Sequence, residues 1–241
     1  MTDLAPEPQD LSNAPLTPAL PQDGSAPGPE DARDQLTVFH SPENFTVKHP
    51  LMNKWTLWFT RPPNKSDSHW SDTLKEVVTF DSVEEFWGIY NNITKTSDLA
   101  VKSDYHLFKV GIRPEWEDIA NKHGGKWAYQ FKERRSVAID ELWLHTMLAA
   151  IGETLEKETD REVTGVVVNV RKGFYRIGLW TRTVGVGGEG KTSKEARESL
   201  LEIGRRFKEI LKLGDRDQVE FSGHSDSALA GSSRAKAKFV V

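Results

Sequence analysis

An α+β fold, an antiparallel sheet with helices packed on one of its faces, follows from three observations on this chain. Short β-rich runs recur between residues 55 and 222, each bounded by turn chemistry. Two of them, 163–171 and 175–182, are separated by Lys172-Gly173-Phe174, a hairpin-length turn that makes them antiparallel neighbours. Amphipathic helical segments are interleaved with the strands and supply the apolar stripes that one face of such a sheet has to bury.

The predicted strands are 55–60, 74–80, 105–110, 126–131, 163–171, 175–182 and 219–222. The first helix opens with the capping box Ser82-x-x-Glu85 and carries Val83, Phe86, Trp87 and Tyr90 at helical spacing. A second helix spans 140–151 and stops at Gly152. The third opens with another box, Thr192-x-x-Glu195, and places Ala196, Leu200, Ile203, Phe207, Ile210 and Leu211 on one stripe up to Gly214. Alternation within the hairpin sorts its two faces. Val168, Val170, Ile177, Leu179 and Thr181 fall on one side; Asn169, Arg171, Arg176, Gly178, Trp180 and Arg182 fall on the other. Helices cover the first side, and the second is left concave or solvated.

Residues 1–36 hold seven of the twelve prolines and no aromatic ring. Such a segment cannot bury enough apolar area to offset its ordering entropy, so residues 1–40 are expected to be a disordered tail and 41–241 a single binding domain. The net charge of −4 supplies no global field for a polyanion, so any anion site has to be a local basic cluster. The absence of cysteine removes disulfides and thiolate-bound zinc. No signal peptide or apolar run long enough to span a membrane is present, and the expected compartment is the cytosol, with the nucleus left open.

Several motifs bear on enzymatic chemistry. Gly185-Val-Gly-Gly-Glu-Gly-Lys191-Thr192 satisfies the phosphate-loop pattern and would suggest a nucleotide hydrolase. Its preceding strand, however, alternates with Arg176 and Arg182, whereas a phosphate-loop strand is covered on both faces and apolar throughout. The seven histidines show no metal-ligand spacing, and no nucleophile–base arrangement stands out. No catalytic residue, metal or cofactor is assigned.

Two tryptophans stand where a folding chain has little use for them. Trp70 lies in the polar run 61–72 and Trp116 in Arg-Pro-Glu-Trp-Glu-Asp at 113–118. Either ring could fold back over the core, but as a pair they suggest two walls for a flat ligand. Glu117 could accept two charge-assisted N–H bonds from the edge of a guanine, which adenine cannot offer. Arg171 and Arg176 flank the hairpin turn and could take phosphates. A positive charge on a methylated base would add cation–π attraction to the stacking.

The residues from His49 to Val241 resemble the eukaryotic translation initiation factor 4E family. The matching stretches are His49-Pro-Leu-x-Asn-Lys-Trp-x-Leu-Trp-Phe59, Val83-Glu-x-Phe-Trp87, Gly111-Ile-x-Pro-x-Trp-Glu-Asp118, Asn121-Lys-x-Gly-Gly-x-Trp127, Ile151-Gly-Glu153 and Val167-Val-Asn-Val-Arg171. The resemblance implies a curved antiparallel sheet with three helices on its convex face and the 7-methylguanosine cap of mRNA in the hollow. It assigns the base to Trp70, Trp116, Glu117 and Trp180, and the phosphates to Arg171 and Arg176 with Asn169 and Lys126 assisting. Tryptophan at both sandwich positions is similar to the translation-initiating class; a cap-binding repressor of the same fold is the alternative.

On the back, the resemblance implies that His49, Pro50, Val83, Trp87, Leu144, His145 and Leu148 form a surface for helical Tyr-x4-Leu-hydrophobic segments. These belong to the scaffold initiation factor 4G and to 4E-binding repressor proteins. Leu144, Leu148 and Ile151 form a second apolar stripe on a helix that already buries Trp143 and Met147. His145 stands where animal relatives carry an acidic residue, so no carboxylate is supplied there for a basic partner. In the C-terminal loop Leu229-Ala230 replaces a basic stretch, with Lys236 and Lys238 nearby, and Ser232 and Ser233 lie near the family's phosphorylation site. A monomer is expected.

Overall fold

The structure, a computed structural model, describes residues 48–67, 69–187, 190–229 and 236–241, without the side chains of residues 228 and 229. The predicted tail, Ala230, Ser232 and Ser233 lie outside the described residues.

Eight strands form one sheet in the order β2-β1-β3-β5-β6-β4-β7-β8, antiparallel throughout. They are β1 (Pro50–Thr60), β2 (Leu74–Ser82), β3 (Asp104–Lys109), β4 (Gly125–Lys132), β5 (Val163–Val170), β6 (Phe174–Thr181), β7 (Glu220–Gly223) and β8 (Phe239–Val240). Three main helices, α1 (Val83–Tyr90), α2 (Ile139–Ile151) and α3 (Ser193–Ile210), are joined by a short α4 (His224–Leu229).

Period-two alternation divides the apolar residues into two clusters. Trp55, Leu57, Tyr105, Leu107, Val166, Val168, Val170, Tyr175, Ile177, Leu179, Trp127 and Phe221 pack with Trp143 and Met147 of α2 and with Leu200, Ile203 and Phe207 of α3. This is the main core. On the opposite face Trp58, Phe108 and Val167 form a smaller cluster with Leu74, Ile112 and Ala120, against which Trp180 packs. The faces of the 163–182 hairpin therefore come out as the alternation predicts.

Some boundaries move. β1 begins at Pro50 rather than at residue 55, because Pro50 pairs opposite Ser82 across a bulge. Phe174 belongs to β6, where it pairs with Lys132, and the turn shifts back to residues 171–173. The box at α3 is complete, whereas Ser82 caps α1 in one direction only: its hydroxyl accepts from the Glu85 N–H, and the Glu85 carboxylate turns to the Asp81 N–H and to Lys48. Ile151 is buried in the core instead of extending the outer stripe of α2. That helix is apolar on nearly every side, so spacing alone does not fix which leucines and isoleucines face out.

Candidate functional site

Three cross-strand rows build the face opposite the helices. The first runs Asp104–Asn169–Arg176–Gln130 across β3, β5, β6 and β4. The second, two residues along, is His106–Val167–Gly178–Ala128. The third is Phe108–Gly165–Trp180–Lys126–Ser222. Polar groups thus line one end, small residues make the floor, and an aromatic row closes the other end. Gly165 is required by this packing, since a Cβ there would lie 2.4 Å from Cγ of Phe108.

Two loops bring their rings over this face. Trp70 opens a short 3₁₀ turn, Trp70–Thr73, in which the Thr73 hydroxyl donates to the Trp70 carbonyl at 2.6 Å. The preceding segment is held by Arg61, whose guanidinium donates to both carboxylate oxygens of Asp67 at 2.8 and 2.6 Å. This pairing and the Asn64 N–H hold the Asp67 carboxyl down at about 2. Trp116 sits in the loop between β3 and β4, whose centre is fixed by two side chains. Asp118 accepts from the backbone N–H groups of Arg113 and Ala120, and the buried Asn121 amide donates to the carbonyls of Arg113 and Glu115, each at 2.9 Å. The rings nonetheless stay 45 % and 39 % exposed, which is unusual for indoles on braced loops.

A cavity of about 390 Å³ collects Trp70, Trp116, Trp180, Lys126, Asn169, Arg171 and Arg176, seven of the eight residues assigned to the base and phosphates. Glu117 is the exception. It is exposed and lines an adjoining hollow of about 480 Å³ that shares Trp116 and His224 with the first.

The site's electrostatics follow from burial. Arg171 donates to both oxygens of the buried Asp104, at 2.5 and 3.2 Å. Arg176 donates to the Gln130 amide oxygen at 3.1 Å and lies 5.3 Å from the Phe174 ring. Burial pushes the Lys126 ammonium down to about 8, and repulsion from Arg176 adds to this. An anion placed between them would relieve that repulsion.

Three lining residues, Asp104, His106 and His224, escaped the sequence reading. The His106 ring bonds Thr60 Oγ1 through Nε2 at 2.8 Å, stands edge-on to Trp70 at 6.2 Å, and leaves Nδ1 without a hydrogen-bond partner. His224 starts α4 and lies 4.1 Å from Trp180. Burial holds these rings at about 4 and about 3 respectively, so both are neutral. A signal was available for Asp104, because a carboxylate just ahead of a predicted strand can pair with an arginine at the end of its neighbour.

On the helix-covered side, Val83 and Trp87 of α1 are exposed, and Leu144, His145 and Leu148 of α2 are half-buried. His49 and Pro50 are exposed, and the His49 backbone N–H and ring both bond Glu84 at the start of α1, at 2.8 and 2.5 Å.

The phosphate-loop reading meets an antiparallel sheet. β6 pairs antiparallel with both neighbours, and the Lys191 ammonium is bound to Asp160 at 2.5 Å. Residues 188 and 189 of that loop lie outside the described residues. Among the described residues no three His, Asp or Glu groups come together as metal ligands, and no helix is long and apolar enough to cross a membrane.

A sheet with one face left open, indoles on two loops above it and arginines at one end is the geometry of a stacking site with an anion pole. Residues 50–239 match the family described as eukaryotic initiation factor 4E, and the chain belongs to that family of translation initiation factors rather than to the nucleotide hydrolases. Eukaryotic translation initiation factor 4E-1 of Schizosaccharomyces pombe is 53 % identical over 85 % of this chain and 88 % of its own length. The human factor 4E is 38 % identical over 92 % of this chain and 98 % of its own. Among solved structures, Ascaris suum eIF4E-3 in complex with an m2,2,7G cap superposes with a TM-score of 0.68 at 35 % identity, covering 81 % of this chain and 99 % of that one. Caenorhabditis elegans eIF4E-3, in complex with the 4E-binding protein Mextli and a cap analog, gives 0.68 at 34 % identity, covering 81 % and 100 %.

Proposed function

We propose that this chain binds the 7-methylguanosine cap at the 5′ end of mRNA. The carrying observation is that one cavity holds Trp70, Trp116 and Trp180 together with Arg171, Arg176, Asn169 and Lys126. In this reading the base lies between Trp70 and Trp116, with Trp180 near its N7-methyl group. The methylated base is cationic, so the two π-faces attract it more strongly than they would a neutral guanine. Glu117 reads the guanine edge together with the Trp116 backbone; it borders the neighbouring hollow, which shares Trp116 and His224 with the cavity. Arg171 meets the phosphates in a fixed orientation, since Asp104 already holds its guanidinium.

The opposite side supports a second contact. Val83, Trp87, Leu144 and Leu148, with His49, Pro50 and His145, suit the apolar stripe of an amphipathic helix of the Tyr-x4-Leu-hydrophobic kind. Scaffold factor 4G and 4E-binding repressors are the partners this implies, for a monomer acting in the cytosol with residues 1–40 outside the binding domain. Retention on immobilised 7-methyl-GTP, with elution by 7-methyl-GTP but not by equal GTP or ATP, tests the cap assignment. Equal elution by all three nucleotides refutes it.

A further inference from the structure

The β4–β6 ladder ends with Lys132 opposite Phe174, and two turns lie side by side beyond it. In the first, Glu133 takes a left-handed conformation, φ 60 and ψ 64, and leads into a 3₁₀ turn at Arg134–Ser136, just ahead of α2. The second is the 171–173 turn between β5 and β6. They enclose a hollow of about 680 Å³ in which Arg134, Arg135, Lys172 and the buried Tyr175 surround Ser136, with Glu133 as the one carboxylate of the lining. Arg134 is held in place: its guanidinium lies 4.6 Å from the centre of the Tyr175 ring and donates to the Tyr175 hydroxyl at 3.0 Å. Arg135 and Lys172 are exposed and make no ion pair among the described residues. Ser136 is exposed as well, and its hydroxyl donates locally to the Glu133 carbonyl at 2.9 Å. None of these residues lines the indole cavity.

We infer that Ser136 is a phosphorylation site, with Arg134, Arg135 and Lys172 as the clasp for its phosphate. Lys132, Arg134 and Arg135 precede the hydroxyl by four, two and one residues, a basic flank that suits the carboxylate-lined substrate groove of a base-directed protein kinase. In the transfer Ser136 Oγ attacks the γ-phosphorus of ATP. The new Oγ–P bond forms as the bond to the ADP oxygen breaks, and the hydroxyl proton passes to the catalytic carboxylate of the kinase. The contact given up is the exposed bond to the Glu133 carbonyl, which water replaces. The phosphate carries about −1.5 to −2 charges at pH 7 and meets three cations against the single carboxylate of Glu133. Lys172 comes from a distant segment and plays no part in recognition of the flank; it serves the product, and the phosphate ties the entrance of α2 to the 171–173 turn.

The full chain is incubated with ATP, magnesium and a protein kinase selective for serines preceded by arginine, and phosphate is located by tandem mass spectrometry. Phosphate is expected on Ser136. The double variant Arg134→Ala, Arg135→Ala should lose most of it, whereas Lys172→Ala should be phosphorylated as fast as the parent. Phosphorus-31 NMR then reads the second ionisation of the phosphoserine. In the folded chain it should lie below that of the same phosphoprotein in urea by about half a pH unit or more, because the three cations favour the dianion. Lys172→Ala should recover part of that difference. Absence of phosphate from Ser136 overturns the site. A phosphoserine that ionises at the same pH folded and in urea overturns the clasp, and a difference untouched by Lys172→Ala removes Lys172 from it.

Discussion

Asp104 and Arg171 form a two-point ion pair at the polar end of the site, Nη1 to Oδ1 at 2.5 Å and Nη2 to Oδ2 at 3.2 Å, with the carboxylate buried and the guanidinium about one-third exposed. A carboxylate beside a phosphate site is electrostatically unfavourable for an anion. It is tolerated if its main effect is to fix the arginine. Asp104→Asn should therefore weaken 7-methyl-GTP binding by about 3- to 10-fold, the loss of one well-oriented charge-assisted contact. Binding of 7-methylguanosine, which has no phosphate, should be unaffected. Tighter 7-methyl-GTP binding by this variant would mean that bare charge outweighs orientation.

The floor offers a separate test. A Cβ on Gly178 would meet nothing closer than the Trp127 carbonyl oxygen at 3.4 Å, so the protein itself leaves room there. Gly178→Val should keep or slightly raise the melting temperature, since a β-branched residue suits a strand interior better than glycine does. Its methyls would stand in the cavity, and 7-methyl-GTP affinity should fall by about 10-fold or more, of the order of 1.4 kcal/mol. Unchanged affinity in a folded variant would place the ligand elsewhere.

Stability should depend on pH through the two buried rings. His106 is held at about 4 and His224 at about 3, burial being the main cause in each. The unfolded chain takes up protons on both below about pH 6.5, and the folded chain does not. The contribution of the two rings is therefore full above that pH and falls as pH drops from about 6.5 toward 4, by up to about 1.4 kcal/mol per pH unit for each ring. The lowered carboxyls, Asp67 and Glu85 at about 2, lose their contribution only from about pH 4.5 downward, below the lower of the two pH values compared. Urea denaturation at pH 7.5 and 5.5 checks this, and stability that holds or rises on acidification contradicts it.

Trp87 gives the opposite-face test. Its ring packs on Phe86 at 5.3 Å and Tyr90 at 5.9 Å and is 37 % exposed, the form of a braced aromatic anchor. Trp87→Ala should cost a Tyr-x4-Leu peptide about 2 kcal/mol or more while leaving 7-methyl-GTP affinity unchanged. Retained peptide affinity, or parallel loss of both ligands, would contradict two independent surfaces.

Much of this was legible where a short period governs. The alternation Arg176–Gly178–Trp180 against Ile177–Leu179 defined both faces of the sheet, because side chains on a strand have no other choice. The exposed indoles were legible because polar, proline-bearing loops surround them. Features made by tertiary contact were not. β8 is two residues long and exists through its pairing with Glu220 and Phe221, and α4 has no apolar stripe of its own. His106 looks in the sequence like any other histidine; its burial depends on Thr60 and Trp70, contributed by distant segments. The outward stripe of α2 does not reach the buried Ile151, because an almost wholly apolar helix carries little directional information.

Titration of intrinsic tryptophan fluorescence with 7-methyl-GTP, for the parent and for Trp70→Ala and Trp116→Ala, addresses the sandwich most directly. The parent should quench on binding, and each variant should remain folded and lose roughly 1–3 kcal/mol of affinity, the cost of one stacking face. Folded single variants that both bind 7-methyl-GTP as tightly as the parent would show that the base does not lie between Trp70 and Trp116.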